Sequence, residues 1–513
     1  MAGPTTSVTV SESEFPPACC ASERGSSVDG MSPSPRAAVS APAPAYPFPG
    51  TEPVEAAVAR IRAEADARTA HPREVREERL RAVRRMLTDH QDRFAVALAR
   101  DLGKSRTEAL LTEVGSVIPE IDHTLAHLGS WMKPRKVSVP LAFQPASAQV
   151  RPVPLGAVLV IGAWNYPVQL TLAPLVGALA AGNAVVLSPS EKSPATAAAL
   201  QELLPAALDG QGVAVVEGGA DCVQALIAHP WDHILYTGGE RVGRIVYEAA
   251  AKTLTPVTLE LGGKSPAVVT EVKDPAGMAR RIAFGKFTNA GQTCVAPDYV
   301  LAVGPEAHAQ VLRHLPAAIA EFYGADPAES PDYGRLVSED HARRLVDLLE
   351  EDVAAGAHMV IGGEADVAGR YLAPTLVDGV SLDGALMREE LFGPVLPVVR
   401  VDSLQEALDV IAARPHPLAS YLFTDDDDDR AAFSAQVQAG VVSEGVTLLH
   451  AGMPTLRFGG VGHSGIGAYH GEAGFETFSH LRPELSKGTG VDTLRAIYPP
   501  HGPVKRTLLP KLL

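Results

Sequence analysis

Ile234-Leu235-Tyr236-Thr237-Gly238-Gly239-Glu240-Arg241-Val242-Gly243 decides the fold, because a β-rich triplet runs through two glycines into a helical stretch. Backbone N–H groups at a helix N-terminus, approached closely where glycine has no side chain, can hold a dinucleotide pyrophosphate. The spacing is Gly-x4-Gly, so the Gly-x-Gly-x-x-Gly fingerprint is absent. A P-loop is absent too, since Arg244-Ile245 stands where Lys-Ser/Thr is required. Taken alone, the segment reads first as a plain strand–helix turn.

Its surroundings extend the pattern. Leu159-Val160-Ile161, Val185-Val186-Leu187, Val213 to Val216 and Ile234 to Tyr236 are short β-rich runs separated by helical stretches. That rhythm predicts a parallel sheet covered by helices. It resumes further on, with strands at 299–303, 397–401 and 418–423 and helices at 306–322 and 338–354. Two α/β units therefore flank the stretch from Glu260 to Cys294. Before them, 52–101 is helical, Leu110 to Trp131 forms an amphipathic helix, and 136–154 is extended, alternating at Val137, Val139, Leu141 and Phe143.

At 513 residues the chain exceeds what one core usually organises, so several domains are expected. A formal charge of −16 argues against nucleic-acid and anionic-membrane partners, which need a Lys/Arg excess. The four cysteines, Cys19, Cys20, Cys222 and Cys294, have no disulfide or zinc spacing, which fits a reducing cytoplasm. Residues 1–49 are Ser-, Pro- and Ala-rich without an apolar run, so they are expected to be disordered, and no signal peptide is read there. No stretch reaches the roughly 18 apolar residues of a membrane span; Leu170 to Leu187 is cut by Pro174, Gly177, Gly182 and Asn183.

Cys294 and Glu260 are the candidates for chemistry. A thiolate can attack a carbonyl carbon, and a carboxylate can activate the water that later releases the product. A lone Cys is more often a packed small hydrophobe, so the surrounding motifs must decide. Two decoys fall away. Gly462-His463-Ser464-Gly465-Ile466 lacks the second Gly of a serine-hydrolase elbow. Asp425 to Asp429 has no ligand spacing and reads as a solvated loop leading into a helix. No His cluster stands ready for a metal, and none is expected.

From about 52 to 485 the chain resembles an aldehyde dehydrogenase of the dimeric class 3 type. The resemblance rests on Trp164-Asn165-Tyr166-Pro167, Pro189-Ser190-Glu191, Tyr236-Thr237-Gly238, Leu254 to Lys264, Gly291 to Tyr299, Glu390-Leu391-Phe392-Gly393-Pro394 and Phe475 to His480, seven motifs in order. It implies Cys294 as nucleophile and Glu260 as the base for thioester hydrolysis. Asn165, with the N–H of Cys294, would form the oxyanion hole. On the cofactor side it implies Trp164, Ser188, Glu191, Thr237, Gly238, Gly239, Val242, Gly243, Leu261 and Gly262. Glu390 and Phe392 would hold the nicotinamide ribose and ring, and Glu191 the adenosine ribose.

The architecture so implied is α/β: a Rossmann-like NAD(P)-binding domain over 50–260 and an α/β catalytic domain over 261–445. A small β oligomerisation element would include a hairpin near 136–154. Residues 446–485 would return to these parts, and 486–513 would form a tail. The expected activity is oxidation of an uncharged aromatic or medium-chain aldehyde to its carboxylate with NAD, or with NADP, by a cytoplasmic homodimer. Three departures from the family pattern stand out: Ser188 replaces a lysine, Gly239 a serine, and Gly445, five residues before His450, an asparagine. Ser188 is what favours the rival of a cofactor-impaired scaffold. Glu260 opposes the other rival, a CoA-acylating enzyme, since thiolysis needs no such base.

Overall fold

The computed structural model describes residues 52–512 apart from 141, 142 and 491. The segment expected to be disordered, with Cys19 and Cys20, lies outside the described residues.

A six-stranded sheet takes five parallel strands, in the spatial order Val257–Glu260, His233–Thr237, Ala157–Ile161, Ala184–Ser188 and Val213–Val215. Gly465–Ile466 closes one edge, antiparallel to Val257–Glu260. The first strand in sequence thus lies between the second and the fourth, the doubly-wound arrangement in which ligands bind beyond the carboxyl ends of the strands where the order reverses. The strands are apolar on both faces because both are covered. Leu159 and Ile161 pack with Ala57 and Ile61 of helix Val54–Ala67, while Val158 and Val160 pack on the opposite face. Helix Gln169–Ala181, apolar apart from Gln169 and Thr171, is buried along its whole length. It stops at Gly182, whose φ of 92° suits glycine.

The second sheet has seven strands. His358–Ile361 pairs antiparallel at one edge, followed by the parallel strands Thr375–Asp378, Val395–Val401, Tyr299–Val303, Pro266–Val269, Ala419–Phe423 and Val441–Glu444. The connection from Glu260 to Pro266 carries the chain from one sheet to the other. Pro266 and Tyr299 are register partners at the amino end of the second sheet. Glu260 ends its strand six residues before Pro266, and Cys294 stands five residues before Tyr299, so both belong to the junction of the two sheets.

A separate antiparallel sheet joins Arg135–Val137, Ser147–Pro154 and Ser479–Ser486. The expected extended run 136–154 is therefore two strands with a connection between them. Apolar alternation misled there, since Phe143 is exposed in that connection. The helix expected from Leu110 is also divided. Arg106–Ala109, a π turn over Leu110–Val114 and Gly115–Trp131 follow one another. The acidic run behaves as read: Asp426 caps helix Asp427–Gln436 through the N–H groups of Asp428 and Asp429.

Candidate active site

Strand Val257–Glu260 delivers the Glu260 side chain into the protein interior, where it is 1% exposed. Neither carboxylate oxygen has a hydrogen-bond partner. Burial holds its pKa well above the usual carboxylate range. A surface salt bridge, the ordinary alternative for such a residue, is thereby excluded.

Cys294 follows a turn of unusual backbone. Asn289, Ala290 and Gly291 take φ values of 56°, 50° and 76° in succession. For the two non-glycine residues such conformations cost on the order of 1–3 kcal/mol each and persist only where neighbours impose them. Gln292 imposes much of it: its Nε2 donates to Asn289 O at 2.9 Å and Arg335 O at 3.0 Å, and its Oε1 accepts from Val337 N at 2.8 Å. On the far side, Tyr421 Oη donates to Val295 O at 2.5 Å.

The Cys294 thiol is pushed up to about 12, first by burial and then by the nearby carboxyl groups of Glu390 and Glu260. Its own N–H and that of Val295 act on the sulfur in the opposite sense. Cys294, Glu260 and Glu390 thus share one electrostatic neighbourhood. Burial and these carboxyls favour the thiol, and a cation brought beside it would favour the thiolate.

Asn165 is 3% exposed and reaches the Cys294 loop, its Nδ2 donating to Gln292 O at 3.0 Å. An amide nitrogen has two hydrogens, so one N–H is left over from this bond. Tyr166 fixes the same approach, its hydroxyl lying 2.6 Å from Thr293 Oγ1.

The Glu389–Phe392 turn is anchored from beneath. Asp298 accepts Leu391 N at 3.1 Å and Lys264 Nζ at 2.8 Å, and Lys264 also donates to Leu386 O and Glu389 O. Burial alone would raise the Asp298 pKa, but Lys264 and Lys286 outweigh it and hold it low. The Glu390 carboxyl is pushed up to about 8, mainly by burial and then by Asp298. It lies so close to Gly262 that a Cβ there would stand 2.3 Å from Glu390 Oε2, so the glycine makes room for the acid. Phe392 holds a left-handed φ of 53°, and its ring meets Trp164 edge-on with centroids 5.3 Å apart. His341, which sequence reasoning passed over, secures this clamp with Nε2 2.8 Å from Phe392 O. Burial depresses the His341 pKa to about 4, keeping the ring neutral.

At the carboxyl ends of the first sheet, Ser188, Thr237 and Glu260 each close a strand, and each carries a buried polar side chain that bonds nothing. Helix Glu240–Ala251 begins beside them at Gly239, which offers no side-chain cap and has open space where a Cβ would stand. Gly238, at φ 158°, leaves room for the Tyr236 hydroxyl, which donates to Gly239 O at 3.2 Å. Gly243 packs under Leu261, with Val242 at the margin of the same apolar cluster. Unpaired strand-end groups and a bare helix N-terminus fit a dinucleotide. Glu191 is exposed, with Ser190 Oγ 3.3 Å from its carboxylate.

The family model for the aldehyde dehydrogenase family matches residues 31–483. The chain belongs to the aldehyde dehydrogenase family. It is 46% identical over 433 residues to aldehyde dehydrogenase family 3 member B1 of Bos taurus, covering 84% of this chain and 91% of that one. It is 42% identical over 448 residues to the dimeric NADP-preferring aldehyde dehydrogenase of Mus musculus, covering 87% and 98%. A solved structure described as the substrate-bound state of Staphylococcus aureus AldH superposes with a TM-score of 0.86 at 38% identity, covering 90% of this chain and all of that chain.

This aldehyde dehydrogenase is an NAD(P)-dependent oxidoreductase that converts an aldehyde to the carboxylic acid. Among the described residues no group of His, Cys, Asp and Glu could hold a metal ion, and no helix is long and apolar enough to cross a membrane.

Proposed function

We propose that Cys294 is the nucleophile, Asn165 the oxyanion holder and Glu260 the base that releases the product. The observation that carries this reading is the buried, unpaired Glu260 carboxyl in the electrostatic neighbourhood of Cys294. The thiolate adds to the aldehyde carbon, and the free Asn165 N–H meets the oxygen as it gains charge. One such donor contributes roughly 2.7–4 kcal/mol in a transition state. Bound NAD(P) supplies the hydride acceptor. Trp164, Glu390 and Phe392 would hold its nicotinamide end; Ser188, Glu191, Thr237, Gly238, Gly239, Val242, Gly243, Leu261 and Gly262 would line the remainder. Loss of hydride leaves a thioester on Cys294, and Glu260 takes the proton from the water that cleaves it. A carboxyl with a raised pKa is a stronger base once ionised, which suits that step.

The substrate proposed is an uncharged aromatic or medium-chain aldehyde. Thr293, Val295, Ala296 and Pro297 surround the nucleophile, with Tyr166 and Trp164 beside Asn165, and none pairs an incoming carboxylate. Leu449, Met453 and Leu456 are exposed on the loop that carries the buried His450, which supports an apolar entrance. NADH formation with benzaldehyde, hexanal and succinic semialdehyde tests this; a higher kcat/KM for the semialdehyde would overturn it. The mouse relative is named for preferring NADP. We infer the opposite preference here, because Ser188 offers no cation and Glu191 stands nearby.

The strands over 157–260 and those over 266–444 support an NAD(P)-binding domain at 50–260 and a catalytic domain at 261–445, with 446–485 returning to the cofactor and oligomerisation elements. The three-stranded sheet, with Val137, Leu481 and Leu485 exposed, supports a homodimer interface. Free Cys222 and Cys294 fit a reducing compartment such as the cytoplasm.

A further inference from the structure

Lys104 and Glu113 form an ion pair at 2.7 Å with no exposed side-chain surface on either partner. The ammonium has further targets. It donates to the main-chain oxygen of Asn165 at 3.0 Å and lies 3.9 Å from the centroid of the Tyr166 ring. Glu113 belongs to the π turn Leu110–Val114, and π turns inside helices recur at functional sites. Its second oxygen accepts Val168 N and Gln169 N, both at 3.0 Å, where helix Gln169–Ala181 begins.

The Asn165 oxygen has a second donor. Asn289 Nδ2 reaches it at 2.8 Å and also reaches Gln292 O at 3.1 Å, while Asn289 N donates to Glu108 Oε1 at 2.9 Å. One carbonyl therefore joins a buried cation to the left-handed turn that leads into Cys294.

Stability alone gives little reason for such a pair. Apolar side chains of equal volume are often as stable as a buried ion pair or more so. What the pair does is fix the 165–166 peptide, on one side through the carbonyl and on the other through the aromatic ring. We propose that Lys104 is a positioning residue: by fixing the 165–166 peptide it aims the Asn165 amide at the nucleophile. The inference rests on the roles proposed above for Asn165 and Cys294. Lys104 itself touches neither aldehyde nor cofactor.

The test is the NADH burst in single-turnover mixing with benzaldehyde. Lys104→Met isolates the cation. Lys104→Met/Glu113→Gln serves where the bare carboxylate of the single variant prevents folding, because Gln keeps an acceptor for the helix N-terminus. The burst rate should fall about tenfold or more, since a displacement near 1 Å can cost about a hundredfold. The NAD dissociation constant and the rate of Cys294 alkylation by iodoacetamide should stay within about twofold. In an Asn165→Ala background the same change should slow the burst by no more than about twofold, the positioned amide being already absent.

An equal loss in both backgrounds would overturn the proposal, as would an unchanged burst in the folded variants. Parallel loss of cofactor affinity and thiol alkylation would show general loosening and also overturn it. A normal burst in Asn165→Ala alone would refute the underlying role of Asn165, which separates failure of that premise from failure of this inference.

Discussion

Two regions of the active site treat their polar groups in opposite ways. The strand ends at Ser188, Thr237 and Glu260 present buried oxygens that bond nothing. The Cys294 loop is mostly bonded: Asn289 N and Nδ2, Gln292 O, Oε1 and Nε2, and Thr293 Oγ1 all have partners, and Asn289 Oδ1 alone among these side chains lacks one. An unpaired buried group costs about 1–3 kcal/mol, so three along one sheet's carboxyl edge make sense where a ligand or a reacting water completes them. The loop has the opposite need. Its left-handed residues and its nucleophile hold position only if the network is complete before substrate arrives. One region is built to be finished by ligands and the other to be finished in advance.

The harshest test of this contrast is Cys294→Ser. A hydroxyl without a dedicated base cannot replace the thiolate, and losing a nucleophile can cost on the order of 10⁶ in turnover. Dehydrogenation should vanish while cofactor binding stays at parent strength, because the strand ends are untouched. Near-parental steady-state NADH formation would end the covalent mechanism.

Glu260→Gln should divide the reaction in time. Thiolate attack and hydride loss need no carboxylate there, so a burst of about one NADH per site should remain, with later turnover reduced roughly 10²–10⁴-fold. The parent enzyme should show a matching pH dependence. The base must be ionised, and its pKa is raised by burial, so the thioester-hydrolysis rate should climb with pH far above the ordinary carboxylate range. The Gln variant should lose that climb. A stopped-flow series across pH showing equal loss of burst and steady state, with cofactor affinity unchanged, would remove Glu260 from the deacylation role.

Asn165→Ala removes one N–H donor, and single donors of this kind contribute about 10²–10³ in rate. The burst should slow by that factor while NAD binding stays the same. An unchanged burst would mean the oxyanion is held elsewhere, and the pre-built half of the comparison would lose its purpose.

Much of this was legible from local pattern. The β-rich triplets became strands because both sheet faces are covered, which makes successive residues apolar. Cys294 and Glu260 stood in motifs a few residues long. The supports were not legible because they depend on distant pairings. Nothing near Lys104 in sequence says that it meets Asn165, 61 residues away. Gly262 looked like a cofactor contact, yet the structure also shows it yielding space to Glu390, whose position depends on Lys264 and Asp298. The substitution at 445 became intelligible only with its φ of 65°, a conformation that glycine and asparagine both tolerate.

The smallest expected effect concerns Ser188, at the ligand-completed end of the contrast. Its hydroxyl is buried without a partner, and it carries no charge. The charge of Lys192 acts on His341, beside the Phe392 clamp. The Glu217 pKa is raised first by burial and then by Glu191. A 2′-phosphate placed among these carboxylates would be repelled, most strongly at low salt. A hydrogen bond from a charged donor contributes roughly 1.5–3 kcal/mol, so Ser188→Lys should lower the NAD dissociation constant about tenfold or more. The same cation should narrow the gap between NAD and NADP. Titration calorimetry with both cofactors on both proteins decides the matter. An unchanged NAD constant would mean that the lost lysine is compensated elsewhere, and tighter NADP than NAD binding in the parent would reverse the preference.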